Sequence, residues 1–156
     1  MRELKILVLS ARIRVLADYR WEAVVTSVRA RLLGEFGFDQ RALGQRALLG
    51  EAIAVIQGVH GVEYVDVDAF GAIPEKVADA PGGPRRLLTQ AEIAERVGEI
   101  VDPPRAVGGV AIGSADRLPG NVDAWAGGSQ DGALRPAELV ILMPAVPDTI
   151  VLNQIR

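Results

Sequence analysis

The spacing of hydrophobic and polar positions changes several times along the first 70 residues. Residues 4–16 are rich in aliphatic side chains, and from Arg12 onward apolar and charged positions alternate, which predicts a long strand with a half-buried end. Apolar residues then recur at helical spacing from Trp21 to Leu32. This spacing predicts an amphipathic helix packed on a sheet, with Asp18 as its N-cap.

A second helix and a second strand follow this first pair. The helix is predicted over residues 50–57, with Gly58 as its C-terminal stop. Its predicted apolar face consists of Ile53, Val55 and Ile56. The strand is predicted over residues 62–70, where apolar and polar positions alternate again. Its predicted inward face is Val65, Val67 and Ala69, and its solvent face is Tyr64, Asp66 and Asp68.

The rest of the chain combines a loop-like region with two short apolar runs. Residues 79–136 hold ten of the seventeen glycines and six of the nine prolines. The capping box Thr89–Glu92 predicts one helix inside this region. An edge strand is predicted at Val107, Val110 and Ile112, and two further strands at residues 138–143 and 149–152.

This order predicts one α+β domain over residues 1–156. Its core is expected in residues 1–78 and 137–156, with an insertion at 79–136 that carries the extra helix. We expect a two-layer sandwich in which two helices cover one face of a mixed or antiparallel sheet of three to four strands. The opposite face, which includes Leu4, Ile6 and Val8, would then need a neighbouring subunit, so we expect an oligomer.

Composition excludes several classes of function. The chain has 156 residues, 49% of them hydrophobic and 24% charged, which fits one folded domain. It has no cysteine and one histidine, so disulfide frameworks, thiolate zinc sites and sites with two imidazoles are excluded. The net charge of −3 argues against nonspecific binding to nucleic acid. No apolar run reaches the roughly 18 residues of a membrane span, and no leader pattern is visible.

One pair of carboxylates could bind a metal ion or take part in catalysis. Asp66 and Asp68 lie two residues apart on the predicted strand, so both project from one face. With Glu63 they could hold a divalent cation or act as acid and base, whereas solvated surface carboxylates are the simpler interpretation. The pattern specifies no cleft, and we predict no metal site.

Other residues that catalysis or nucleotide binding would use lack their partners. His60 lies in a predicted turn, with no nucleophile or orienting acid identifiable beside it. Gly108, Gly109 and Gly113 fit no phosphate-binding spacing. The sequence therefore predicts no cofactor and no enzyme.

The glycine-rich region contains the candidate interface residues. Trp125 has few apolar neighbours in the sequence, and exposed aromatic residues often anchor interfaces. Folding of Trp125 over the domain's own sheet is an equally good interpretation. The predicted interface set is Trp125, Arg117, Leu118 and Leu134.

Several segments resemble the C-terminal part of baseplate J-like wedge proteins of contractile phage tails and phage-tail-like injection systems. The resemblance consists of many moderate agreements over about two-thirds of the chain, and no single motif is diagnostic. The chain departs from the family pattern at Gly50, where family members have a serine N-cap. It is also shorter than family members generally are. The matching segments are 18–22, 28–33, 36–39, 41–45, 51–57, 61–68, 136–142 and 150–152.

The resemblance implies a structural role. Wedge subunits surround a central spike hub and couple a change in the baseplate to contraction of the sheath. The implied partners are other wedge subunits, the spike hub and sheath-proximal proteins, in a hetero- or homo-oligomer without nucleic acid or membrane insertion. The implied location is the cytoplasm during assembly and then the phage tail or injection particle. The chain would be a C-terminal piece, with Met1 either a true start or the edge of a fragment. The alternatives are a free-standing ligand-binding or regulatory α+β domain and the metal enzyme considered above.

Overall fold

A computed structural model describes residues 2–81, 83–101, 121–124, 126–130, 133–143 and 149–156. These residues form an α+β fold around a mixed sheet of four strands. The helices are α1 (Trp21–Glu35), α2 (Leu49–Gln57) and α3 (Gln90–Val101), with a 3₁₀ turn at Phe38–Gln40. The strands are β1 (Arg2–Val15), β2 (Ala47–Leu48), β3 (Val62–Pro74), β4 (Lys76–Ala78), β5 (Arg85–Leu87), β6 (Asn121–Val122), β7 (Gly128–Gln130), β8 (Ala133–Arg135), β9 (Ala137–Ile141) and β10 (Ile150–Gln154).

The sheet is built around β1. On one edge, β3 pairs antiparallel with β1 from Lys5 to Val15. On the other edge, β9 pairs with the first half of β1 and β10 with the second half, both in parallel. Strand β1 therefore has partners on both edges over most of its length, and the mixed sheet predicted from the sequence is confirmed.

Helices α1 and α2 cover one face of this sheet. Every fourth residue of α1 from Val24 to Leu32, and then the C-cap residue Phe36, is buried against it. These residues form the main core together with inward side chains of the strands and α2. Strand β1 contributes Leu7, Leu9, Ala11 and Ile13. Further members are Ala52, Ile56, Phe70, Val140, Leu142 and Ile150. Trp21 packs at the margin of this core, as its place in the predicted stripe suggested.

Helix α3 packs on the opposite face. Ile6 and Val8 alternate along β1 with the main-core residues and belong to a second core with Ile73, Ile93 and Val97. A two-layer sandwich is therefore not confirmed, because helices lie on both faces at this end of the sheet. The chain itself covers Ile6 and Val8, so these residues do not require the neighbouring subunit that their exposure would have demanded.

Strand β3 changes its face partway along. Ser10 of β1 pairs with Ala69, whereas Ala11 pairs with Val67, so Asp68 is an extra residue in the ladder. An extra residue reverses the inward and outward alternation beyond it. Ala69 consequently lies on the face opposite to Val67, and the prediction that they share one face is wrong.

The ends of two helices show different outcomes. The N-cap of α1 is Arg20, without a side-chain hydrogen bond, because Asp18 lies in the turn that joins β1 to α1. The prediction of Asp18 as N-cap is therefore wrong. The capping box of α3 is confirmed: Thr89 N–H donates to Glu92 Oε2 at 2.7 Å, and Glu92 N–H donates to Thr89 Oγ1 at 3.3 Å.

Three small two-stranded sheets lie outside the main one. They pair β2 with β6, β4 with β5, and β7 with β8. Four of these strands, β5 to β8, lie in the glycine-rich region, whereas the edge strand predicted at Val107, Val110 and Ile112 lies outside the described residues. Among the helices that the structure describes, none is long and apolar enough to cross a membrane.

A charged network holds the start of α3. The Arg86 guanidinium contacts Asp79 at 2.8 Å and Glu92 at 2.7 Å. The hydrogen bond from Arg86, assisted by the Thr89 amide, lowers the pKa of Glu92 to about 2. The hydrogen bond from Arg86 also lowers the pKa of Asp79, and the two carboxylates raise the pKa of Arg86. The network ties the β4–β5 hairpin to α3.

We predict that replacement of Glu92 by glutamine destabilises the protein at neutral pH and that this effect fades in acid. The folded-state pKa of about 2 lies below the ordinary value of 4.5, so ionised Glu92 stabilises the fold above pH 4.5. This contribution is lost as the pH falls from 4.5 towards 2. Urea unfolding across this range measures the difference in free energy of unfolding between wild type and Glu92→Gln.

Glu95→Gln is the matched control, since Glu95 lies on the same helix and forms no ion pair with the described residues. The difference in free energy of unfolding between Glu95→Gln and wild type should not become smaller over the same pH range. The prediction would be contradicted if the difference in free energy of unfolding between Glu92→Gln and wild type stayed constant down to the lowest pH at which the wild type is folded.

Candidate interaction surface

The second half of the α3-side face of the sheet carries charged side chains. Beyond Val8, the β1 residues on this face are Ser10, Arg12 and Arg14. Arg12 pairs in register with Asp66 of β3, and Arg14 with Tyr64. We call this region, made of Arg12, Arg14, Glu63, Tyr64, Asp66 and Asp68, the charged half-face.

Two irregularities in β3 supply additional acidic side chains to the charged half-face. Asp68 is the extra residue at the first register shift, and Glu63 is the extra residue at the second, between Arg14 and Val15. Bulges of this kind re-aim a side chain at the cost of one ladder position. Each of these acids contacts an arginine of β1, so the irregularities and the ion pairs occur together.

Arg12 lies between two aspartates. Its Nε donates to Asp68 Oδ1 at 3.1 Å, its Nη2 donates to Asp66, and Ser10 Oγ lies 3.5 Å from Asp68 Oδ2. The hydrogen bond and charge of Asp66, followed by the charge of Asp68, raise the pKa of Arg12. Arg14 Nε lies 3.5 Å from Glu63 Oε2. About half of the Arg12 and Asp66 side chains remains exposed, so these ion pairs are accessible to a partner.

This geometry bears on the metal hypothesis for Glu63, Asp66 and Asp68. Each of the three carboxylates contacts an arginine of β1. A divalent cation would have to displace these guanidinium groups, and no cluster of three potential ligands is found among the described residues. The arrangement therefore favours ion pairs between strands over metal coordination.

Large apolar side chains are exposed at the same end of the sheet. Tyr64 belongs to the charged half-face, and Leu16 and Tyr19 lie in the turn after β1, each between 43% and 46% exposed. The Tyr19 ring lies so close to Gly61 that a Cβ there would come within 2.6 Å of it. Tyrosine and arginine are enriched at the centres of protein interfaces. This end of the sheet therefore combines exposed tyrosines with the arginines of the charged half-face.

The interface residues predicted from the sequence belong to the glycine-rich region. Trp125, Arg117 and Leu118 lie outside the described residues. The Leu134 backbone belongs to β8, where it pairs with Ser129, and its side chain lies outside the description. The prediction for these four positions is therefore untested, and the charged half-face itself was not predicted from the sequence.

His60 is exposed in the turn between α2 and β3. Gly61 beside it has a φ of +97°, a conformation that glycine adopts at little cost, and its carbonyl accepts a hydrogen bond from Leu16 N–H. Within the described residues, no hydrogen bond or ion pair involves His60. Its place is that of a surface turn residue.

A buried arginine was not anticipated from the sequence. The Arg41 side chain is only 4% exposed; its Nη1 contacts Glu51 at 3.2 Å, and its Nη2 donates to the Arg46 carbonyl at 2.7 Å. Its guanidinium carbon lies 5.2 Å from the centroid of the Phe36 ring, and its Nε has no partner among the described atoms. Arg41 thereby joins the loop after α1 to both helices, which is a structural role.

A cavity borders the outer edge of β10. Its volume is about 620 Å³, and its lining comes from α1, α3 and β10. Ile150 and Leu152 face the main core and Val151 faces the α3 side, so a cavity that touches all three lies beside the strand edge. We call this cavity the β10 groove, and it is lined by Arg29, Ala94, Val97, Gly98, Val101, Ile150, Val151 and Leu152.

Comparisons with known proteins identify no relative. No family model, curated protein or solved structure matches the chain. The resemblance to baseplate wedge proteins therefore depends on the residue pattern alone.

We predict that millimolar Mg²⁺ or Mn²⁺ leaves the melting temperature of the wild type unchanged, because all three carboxylates are already engaged in ion pairs with Arg12 and Arg14. A bound cation would stabilise the folded state and raise the melting temperature. The double variant Asp66→Asn/Asp68→Asn is the control for nonspecific effects of the ions. A rise in the wild type that the double variant lacks would restore the metal hypothesis.

Proposed function

We propose that this chain is a structural subunit, or a fragment of one, in the baseplate wedge of a contractile injection system or phage tail. In this role it would assemble around the spike hub and connect to the sheath. Its partners would be other wedge subunits and sheath-proximal proteins. The proposal assigns it no catalytic chemistry.

Most segments that resemble wedge proteins lie close together in the structure, and this supports the proposal. Residues 18–68 run from the turn before α1, through α2, into the first half of β3. Helices α1 and α2 contact one another and share the main core with β3. The resemblance thus falls on one packed unit of the structure, as a shared ancestral module would.

The observation that carries an assembly role is the charged half-face with its exposed apolar neighbours. Its ion pairs fix arginine and aspartate side chains in place, so a partner would meet an ordered surface. Leu16, Tyr19 and Tyr64 add apolar area at the same end. Ordered charges beside aromatic anchors are what specific protein interfaces use.

The finer domain organisation is part of the same proposal. We infer that residues 1–78 and 137–156 form the body of the wedge module, and that residues 79–136 are an insertion for contacts with neighbouring subunits. The β9 and β10 strands return to the two halves of β1 after this region, which supports the division.

A free-standing ligand-binding or regulatory domain is the alternative. The β10 groove favours it, because a volume of about 620 Å³ falls within the range of small-molecule sites. A ligand-binding domain would be isolated without structural partners, and its melting temperature would rise with a small apolar ligand.

Photocrosslinking in the source cells tests the wedge proposal. A photoreactive phenylalanine analogue replaces Tyr64 in the tagged full-length protein, and the same analogue at exposed Leu87, on the β4–β5 hairpin, is the control. We expect the Tyr64 position to give crosslinks to sheath, spike-hub or other wedge proteins. We also expect these proteins to copurify in near-stoichiometric amounts with both tagged variants.

Two results would contradict the proposal. One is purification of the protein alone or with metabolic enzymes. The other is a set of crosslinks that is identical at Tyr64 and Leu87, since the charged half-face would then make no specific contact.

A further inference from the structure

An ammonium group and a carboxylate are held in contact between two strands of the main sheet. Lys5 Nζ of β1 lies 2.8 Å from Glu138 Oε2 of β9, and it also donates to the Asp123 carbonyl at 3.0 Å. The Glu138 side chain is only 9% exposed, and the Lys5 side chain is 27% exposed. The carboxylate of this pair is therefore largely removed from water.

Both residues lie on the face of the sheet that carries the main core. Lys5 precedes Leu7 by two positions on β1, and Glu138 precedes Val140 by two positions on β9. Leu7 and Val140 both belong to the main core, and side chains two positions apart on a strand share a face. The ion pair thus borders the apolar core, where charged groups lose hydration.

A second carboxylate stands beside Glu138. In the parallel pairing of β1 with β9, Glu3 is in register with Glu138, so the two side chains project from the same face. Adjacent strands lie about 4.8 Å apart. The Glu3 side chain is 16% exposed, and its carboxylate pairs with Arg85. One amine and two carboxyl groups are thus collected on neighbouring positions of two strands.

We propose that Lys5 and Glu138 condense spontaneously into an amide bond that cross-links β1 to β9. The reaction needs no cofactor and no oxidant, because the ammonium group and the carboxylate together lose one water molecule. This inference goes beyond the proposed function, since it assigns to the chain a covalent modification that does not depend on any partner.

Atoms and charges balance within these three side chains. A proton passes from the Lys5 ammonium to the Glu138 carboxylate along their hydrogen bond, which leaves a neutral amine and a neutral acid. The amine nitrogen then attacks Glu138 Cδ, and the carbonyl π electrons move onto oxygen. Glu3 takes a second proton from the nitrogen and delivers it to the hydroxyl group of Glu138. This group leaves as water while the carbonyl forms again.

Two physical effects favour the amide at this position. Burial penalises two separate charges, and condensation replaces them with a neutral group. The fixed contact also replaces a bimolecular encounter, and effective molarities of well-oriented groups reach roughly 10⁵–10⁸ M. Exposed ion pairs such as that of Arg14 with Glu63 have neither the burial nor a lysine amine that can lose its proton.

The cross-link would constrain most of the chain. It would join positions 5 and 138, so that nearly all of the sequence from β1 to β9 lies in one closed loop. Closing a long loop lowers the entropy of the unfolded chain more than closing a short one. The bond would therefore raise the melting temperature of the protein.

Intact-mass spectrometry of the purified full chain tests the proposal. We expect the wild type to be lighter than its sequence mass by one water molecule. Tryptic digestion should then yield a branched peptide in which Lys5 is joined to Glu138. This peptide identifies the bond directly, whatever the stability of the variants.

The two lysines of the chain supply a matched pair of variants. Lys5→Arg keeps the positive charge, but the guanidinium does not lose its proton and should not condense, so this variant should have its full sequence mass. Lys76→Arg is the control, because Lys76 lies on β4 outside the ion pair. It should be lighter than its sequence mass by one water molecule, like the wild type.

Glu3→Gln tests the proton transfer. The fraction of cross-linked protein is followed by mass against time after synthesis. Since proton transfer by a positioned side chain contributes at least about a hundredfold to a rate, Glu3→Gln should form the bond that much more slowly. An unchanged rate would overturn the role of Glu3.

Two results would overturn the cross-link itself. One is a wild type that keeps its full sequence mass in fresh and aged preparations, which would leave Lys5 and Glu138 as an ordinary ion pair. The other is a Lys5→Arg variant that also lacks one water molecule, because the water would then be lost elsewhere in the chain.

Discussion

The fold depends on one strand, β1, whose first half is buried on both faces. In the first half of β1, Leu7 and Leu9 point into the main core while Ile6 and Val8 point into the second core. Strand β3 pairs with this whole apolar run, and β9 and β10 pair with its two ends at Ile6 and Leu9, which reduces the cost of burying its backbone groups. Among the residues that the structure describes, the second half of β1 is covered on one face only, and the charged half-face lies on the other.

Local patterns of sequence account for most elements. The amphipathic spacing of α1, the capping box of α3 and the long apolar run of β1 each depend on neighbours within one element, so periodicity is sufficient to detect them. The extra residues Asp68 and Glu63 depend on pairing with a distant strand. A regular alternation therefore placed Ala69 on the wrong face. The face of the sheet on which α3 packs could not be predicted either. Strand β1 has apolar residues on both faces, so α3 could pack on either one.

The candidate site was less predictable than the fold. Asp66 and Asp68 stood out as a pair, yet their meaning depends on Arg12, which is more than fifty residues earlier in the chain. Buried Arg41 gave no signal, since a polar loop residue normally stays in solvent. The β10 groove arises only when three separate elements meet. These surfaces result from tertiary packing, so periodicity within a single element does not indicate them.

Native-state hydrogen exchange of individual amides tests the central place of β1 most directly. If both cores and both edges depend on this strand, the amides of residues 6–13 should exchange slowest and only through global unfolding. Those of α3, which contacts the smaller core, should exchange faster. Amides of α1 and α2 that outlast those of β1 would contradict the account, because the helices would then form a stable unit without the strand.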